Sequence, residues 1–178
     1  MSFNERKVLY KQLMDIRNCP VIAYVTSGRP NATGNIAQDA IRQFIKQLEL
    51  LPNKPVRIDL IINSYGGDGL TSWRLITMLR EYLGQDGKIT CFVPYYAFSA
   101  ATLIAVGCDE IFLHPLASLG PVDPQITVNK KDGPQQFAYE DVSAYTSFLK
   151  EEAGITEQKE KVSLLSQLVN QIEPSVIG

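Results

Sequence analysis

Histidine is almost missing from this chain: 178 residues hold one, His114. With one histidine and three scattered cysteines (Cys19, Cys91 and Cys108), a transition-metal site lacks its usual ligands. The cysteines sit far apart, in or beside apolar runs, without metal-ligand spacing. Their odd number argues against a disulfide framework, so buried thiols in a reducing compartment are expected. An excess of either charge is also missing. The net charge is −2, which points neither to nucleic acid nor to an acidic membrane surface. No apolar run approaches the roughly 20 residues of a membrane span, and Met1-Ser2-Phe3-Asn4-Glu5-Arg6-Lys7 carries no apolar signal core. The expectation is a cytoplasmic protein. No Gly-Lys-Ser/Thr phosphate loop and no GxGxxG fingerprint occurs, so nucleotide binding is not expected. There is no internal repeat and no low-complexity tract.

What is present is apolar patterning in a chain of single-domain length, long enough to bury a core without disulfides or metals. Val8, Leu9, Leu13 and Ile16 predict an amphipathic helix over 5–17. Val21 to Val25 reads as a buried strand ended by Gly28-Arg29-Pro30-Asn31. Ile36, Ala40, Ile41, Phe44, Ile45 and Leu48 recur at helical spacing, and Pro52 and Pro55 close that helix. Val56 to Ile62 is a strand whose Leu60-Ile61-Ile62 suggests cover on both faces. A helix through Trp73, Ile76, Leu79 and Leu83 follows, with Trp73 expected in the core. Lys88 to Val93 is a strand, Ser99 opens a short apolar helix stopped by Gly107, and Glu110 to Leu113 is another strand. Strand–turn–helix thus occurs three times before residue 115, which predicts α/β architecture with a mostly parallel sheet.

The remainder reads differently. Ile126-Thr127-Val128 and Gln136-Phe137-Ala138 can pair around Lys131-Asp132-Gly133. A helix from about Asp141 to Ala153 stops at Gly154, and Thr156 caps a last helix through Leu164, Leu165 and Leu168. The ending Pro174-Ser175-Val176-Ile177-Gly178 is abrupt, as if the natural chain continued beyond it.

Two turns carry the chemistry. Asn63-Ser64-Tyr65-Gly66-Gly67-Asp68 and Tyr96-Ala97-Phe98-Ser99-Ala100-Ala101-Thr102 each follow a strand and precede a helix. In open α/β sheets ligands gather at such carboxyl ends of strands. A Gly-Gly turn bares backbone N–H groups, and Ser99 stands where a helix N-terminus favours developing negative charge. A serine beside oxyanion-stabilising amides is what acyl transfer needs. Read locally, Ser99 is equally an N-cap, and the glycines equally a tight turn needing positive φ.

Together these segments resemble the ClpP/crotonase superfamily and, within it, the serine dehydrogenase proteinase (SDH) family of Clp-fold serine proteinases. The matching stretches run from Asp59 to Gly67, from Val93 to Ala105, over Asp109-Glu110-Ile111 and from Leu119 to Gln125. The resemblance spans roughly residues 20–126, and its segments are specific in this order and spacing. It implies a ββα spiral, a homo-oligomer, no metal or organic cofactor, and a polypeptide substrate, with segments of membrane proteins as substrates by analogy. It maps the nucleophile onto Ser99 and the oxyanion donors onto Gly66 or Gly67 plus Ala100. Two departures stand out. Tyr65 occupies the place of the usual proline before Gly-Gly, and the stretch that should hold a catalytic histidine reads Val122-Asp123-Pro124.

Relatives of the signal-peptide-peptidase type use lysine instead. Lys150 falls at the far edge of the corresponding window, with Lys130 and Lys131 slightly early. A lysine base must be desolvated to lose its proton near neutrality, whereas a lysine in the last turn of a helix also suits the helix dipole. Asp123 could orient a base or serve the turn before Pro124. His114 reads as a polar cap at a strand end. Tyr95 and Tyr96 could line a peptide groove or simply pack. The functional expectation is a Ser-Lys serine peptidase. The alternatives are an inactive Clp-fold scaffold and a crotonase-type acyl-CoA enzyme.

Overall fold

A computed structural model of the chain describes residues 2–51, 53–123, 125–130 and 133–171. Pro52, Pro124, Lys131, Asp132 and the tail from 172 lie outside the described residues. The chain divides into two compact units, Met1–Val122 and Asp123–Gly178.

The first unit is built on four parallel strands. β1 (Val21–Val25) lies beside β4 (Arg57–Asn63), then β5 (Lys88–Val93), then β7 (Glu110–Leu113). A short hairpin, β2 (Gly28–Arg29) with β3 (Ala32–Thr33), leads from β1 to helix α2 (Asp39–Glu49). Helix α3 (Gly69–Leu83) joins β4 to β5, and α4 (Ala100–Val106) joins β5 to β7. This is the expected α/β fold with a mostly parallel sheet, its crossovers made by helices.

Alternation along the strands sorts the two faces. Ile58, Leu60 and Ile62 of β4 and Ile89, Cys91 and Val93 of β5 enter one buried cluster. Phe44 and Leu48 of α2, Leu75 and Leu79 of α3, and Ala101 and Ile104 of α4 complete it. The opposite face carries Asp59, Ile61, Thr90 and Phe92. Ile61 and Phe92 are half-buried there, so cover on both faces is partial. Asp59 is fully buried and bonded by Arg17 Nε at 2.6 Å and Arg57 Nε at 3.3 Å. Arg17 ends helix α1 (Phe3–Arg17), which opens with a capping box between Ser2 and Glu5. No residue of α1 is buried, so its apolar stripe reaches no core.

Several expectations need correction. β1 was expected to be buried, yet it is an edge strand with no buried residue, and Val25 is exposed. Trp73 is 64% exposed, because α3 turns Thr71, Ser72, Leu75, Ile76, Leu79 and Leu83 inward and leaves position 73 off that arc. Ile36 is buried but lies outside α2. Its N–H donates to Gly66 O and its carbonyl accepts from Asp68 N–H, both at 2.8 Å, so its backbone is committed to the Gly-Gly turn. Helix α6 (Gln158–Gln171) starts too late for Thr156 to cap it. The carbonyl receiving its first-turn Lys161 N–H is that of Glu157.

In the second unit, β9 (Gln125–Lys130) pairs antiparallel with β10 (Gly133–Ala138), setting Ile126 against Phe137 and Thr127 against Gln136 as expected. Helix α5 (Tyr139–Glu151) follows, and Gly154 sits at φ 67° just beyond its end. No helix of the described residues is long and apolar enough to cross a membrane.

Candidate active site

The site is built where β4 and β5 end. After β5, Pro94 breaks the strand and the chain forms β6 (Tyr96–Ala97), paired with β8 (Ser118–Leu119). Ser99 follows with φ 49° and ψ −120°. For a residue with a Cβ this is a sparsely populated conformation, costing about 1–3 kcal/mol, and it persists only where surrounding contacts over-determine it. Those contacts are present. Phe98 N–H donates to Ser64 O at 3.0 Å, and Ser99 N–H donates to Pro121 O at 3.2 Å. Thr102 Oγ1 lies 2.7 Å from Ala97 O and 2.9 Å from Gly120 O, bracing the turn from inside.

The N-cap alternative for Ser99 fails on both of its requirements. A capping serine has extended backbone and a side-chain oxygen bonded to the first helical turn. Ser99 occupies the cap position of α4 but has neither, and its side chain makes no capping bond. The hydroxyl is half-buried and uncommitted among the described residues.

Facing it is the Gly-Gly turn. Gly66 (φ 113°) and Gly67 (φ 146°) both adopt conformations that L side chains rarely enter. A methyl on Gly66 would meet Phe98 O at 2.8 Å, Ser99 Cβ at 2.9 Å and Ala100 N at 3.3 Å. Gly66 therefore lies directly against the serine. A methyl on Gly67 would strike Ile36 O at 2.3 Å. The two glycines differ in what their amides do. Gly66 is buried and its N–H donates to Ser64 Oγ at 3.0 Å. Gly67 is exposed, and neither its N–H nor that of Ala100 has an acceptor among the described residues.

Downstream, Asp68 caps α3, accepting from Leu70 N–H at 3.1 Å and Thr71 N–H at 3.2 Å. The Thr71 hydroxyl, with those amides, holds the Asp68 carboxyl below its ordinary range. Beside the turn, Tyr65 stacks on Tyr96 with ring centroids 4.4 Å apart, and Phe98 closes the cluster at 6.0 Å from Tyr65. A hydrogen bond with Tyr96 pushes the Tyr65 phenol up. Tyr65 thus replaces the usual proline with an aromatic surface, 54% exposed, next to the serine. Between Tyr65, Tyr96 and the β1–β2 turn lies a cleft of about 600 Å³.

Ser99, Gly66, Gly67 and Ala100 are therefore brought together. Lys150 lies in the second unit, exposed in the last turn of α5. His114 caps a turn as expected. Its Nδ1 accepts from Leu116 N–H at 3.2 Å and its carbonyl from Ala117 N–H at 2.7 Å. No group of three His, Cys, Asp or Glu side chains among the described residues is placed to hold a metal. Sequence reasoning missed Thr26, Ile36 and Ser64, all bonded to the turn or to each other. The available signal was polar Ser64 immediately after the apolar β4.

Several known proteins are similar to this chain. Two uncharacterized proteins of Methanocaldococcus jannaschii are 39% identical over 84 residues and 42% identical over 85 residues. Each alignment covers 47% of this chain but only 27% and 28% of the relatives, so the chain spans little more than a quarter of the length of the curated relatives it matches. Among solved structures, a variant of the 1510-N membrane-bound stomatin-specific protease aligns with TM-score 0.48 and 17% identity, over 76% of this chain and 64% of that one. The ClpP protease catalytic domain from Plasmodium falciparum aligns with TM-score 0.41 and 17% identity, over 63% and 62%. The family of ClpP-like SDH-type serine proteinases matches residues 35–134, more than half of the chain and including both turns of the site. This chain belongs to the ClpP-like SDH-type serine proteinases.

Proposed function

We propose that the chain is the catalytic core of a serine peptidase in which Ser99 attacks the carbonyl carbon of a peptide bond. The observation that carries this reading is Ser99 itself, strained at φ 49°, excused from capping, and pressed against Gly66. Strain at a residue whose hydroxyl has no structural duty supports a functional one. In the attack, a bond forms from Ser99 Oγ to the carbonyl carbon, and the carbonyl oxygen takes up negative charge. Gly67 N–H and Ala100 N–H are the uncommitted donors suited to that oxyanion. The C–N bond then breaks, the leaving amine takes the proton that Ser99 gave up, and water hydrolyses the acyl-serine ester.

A general base must carry that proton. We assign it to a lysine, with Lys150 as the candidate. Substrates are extended polypeptides, and the Tyr65–Tyr96–Phe98 surface favours bulky apolar side chains near the cleaved bond. Membrane-protein segments fit that preference. A cytoplasmic homo-oligomer belongs to the same reading. A scaffold that has lost catalysis is the second reading, favoured by the exposure of Lys150 and by the lack of a partner for the Ser99 hydroxyl among the described residues.

Labelling with a fluorophosphonate probe tests the choice. The expected result is labelling of wild-type protein, absent in Ser99→Ala. Equal absence of labelling in both, from neutral to alkaline pH, would favour the scaffold.

A further inference from the structure

Ser64 is fully buried and polar, and its hydroxyl makes three contacts, to Thr26 and Gly66. It receives the Thr26 hydroxyl at 2.7 Å and the Gly66 N–H at 3.0 Å. Its own proton faces Gly66 O at 3.5 Å. A serine offers one donor and two acceptor sites, so this inventory is fully used. The Ser64 backbone is equally engaged, with its N–H on Tyr96 O at 3.2 Å and its carbonyl receiving Phe98 N–H at 3.0 Å. Ser64 therefore links the Gly-Gly turn to the segment that carries Ser99. Thr26 supports it from the end of β1, anchored by its own N–H on Asn63 O at 3.0 Å.

The consequence for the oxyanion donor follows from peptide geometry. The Gly66–Gly67 peptide is trans, so its C=O and N–H point in opposite directions. Its C=O is held by Ile36 N–H at 2.8 Å, which aims Gly67 N–H away from Ile36. The preceding amide, Gly66 N–H, is captured by Ser64. Two flexible glycines, which could flip their peptide planes at little cost, are thereby held in one arrangement.

We infer that Ser64, supported by the Thr26 hydroxyl, is a positioning residue that keeps Gly66 N–H out of the site and leaves Gly67 N–H as the oxyanion donor of the turn. This rests on the peptidase reading above. Thr26→Val removes the hydroxyl while keeping the shape, and Thr26→Ser keeps the hydroxyl. Ser64→Ala is the stronger variant, and Thr26→Val remains informative if Ser64→Ala does not fold.

The test compares fluorophosphonate labelling rates, kcat and KM on an unstructured polypeptide, and inhibition by a peptide boronate, all well below each variant's melting temperature. In Thr26→Val, labelling and kcat should fall about tenfold, short of the roughly 10²–10³ that follows loss of an oxyanion donor. KM should stay unchanged, boronate affinity should fall in step with kcat, and Thr26→Ser should restore wild-type behaviour. A purely structural role would lower the melting temperature without splitting kcat from KM. Wild-type rates in Thr26→Val, or rates that track folded fraction alone, would overturn this inference and leave the peptidase reading standing. Failure of wild-type protein to label would overturn both.

Discussion

The two ends of one parallel sheet carry opposite kinds of polar structure. At the amino end, Asp59 is fully buried, yet Arg17 and Arg57 meet its carboxylate, and Arg57 continues to Thr90 Oγ1 at 2.8 Å and Glu110 at 3.2 Å. Arg17 also lies over the Phe92 and Phe112 rings, 5.2 and 5.5 Å from their centroids. At the carboxyl end, Ser99 is strained, its hydroxyl is uncommitted, and two amides lack acceptors among the described residues. Buried polar groups are satisfied in stable structures because leaving them unpaired costs about 1–3 kcal/mol each. A cluster that is fully matched holds the fold together. One that retains unused bonding capacity, as at Ser99 and the exposed Gly67, leaves those groups to water or to a ligand.

The largest effect separating the two ends comes from Ser99→Gly. Labelling should vanish, as expected of Ser99→Ala, but the two variants should differ in stability. Glycine tolerates φ 49° without a Cβ clash, so about 1–3 kcal/mol of strain is relieved against about 0.5–1 kcal/mol of added chain entropy. Ser99→Gly should therefore be about 1 kcal/mol more stable than Ser99→Ala in urea unfolding. Lower stability in the glycine variant would mean that the serine backbone is not strained and that the contrast between the ends fails.

Arg17→Met makes the converse change. Methionine preserves contact with Phe92 and Phe112 but leaves Asp59 with Arg57 alone, at 3.3 Å. Removing one partner from a buried charge destabilises, and the remaining partner reduces the cost to about 2 kcal/mol. The labelling rate of the folded protein should not change. A slowed label with unchanged stability would show that the amino-end cluster communicates with the site.

This division of labour was partly legible in the sequence. The four strands of the parallel sheet were readable to within a residue, because apolar runs bounded by proline and glycine leave few alternatives, whereas the two-residue strands β2, β3, β6 and β8 were not. Ser99 and the Gly-Gly turn were readable because each sits at a strand end, where α/β sheets place ligands. Ile36 matches the helical spacing of α2, yet its N–H and carbonyl are committed to the turn. Trp73 fits the helical spacing of Ile76, Leu79 and Leu83, yet the inward arc of α3 bypasses it. The Thr26–Ser64 bond joins residues 38 apart, and no local pattern announces such a pairing. Choosing Gly67 over Gly66 depends on which amide is already bonded, a tertiary fact. Lys150 illustrates the same limit, since separation along the chain does not fix distance in space.

The smallest effect belongs to Asp68, which joins the site to the fold. Its carboxyl is held below the ordinary range, chiefly by the Thr71 hydroxyl and then by the Leu70 and Thr71 amides. A carboxylate whose folded pKa is depressed contributes stability that is present above its unfolded value, near 3.8, and is lost as pH falls through the lower folded value. Asp68→Asn keeps a capping oxygen but cannot titrate. Its melting temperature should lie slightly below wild type at neutral pH, and the gap should close below about pH 4. A gap that stays constant through that range would show that the Asp68 charge does not stabilise the start of α3. Labelling rates measured in parallel extend the comparison. Asp68 N–H holds Ile36 O, and Ile36 N–H holds Gly66 O. A variant that preserves this backbone chain should therefore label like wild type at neutral pH, even as its acid stability changes.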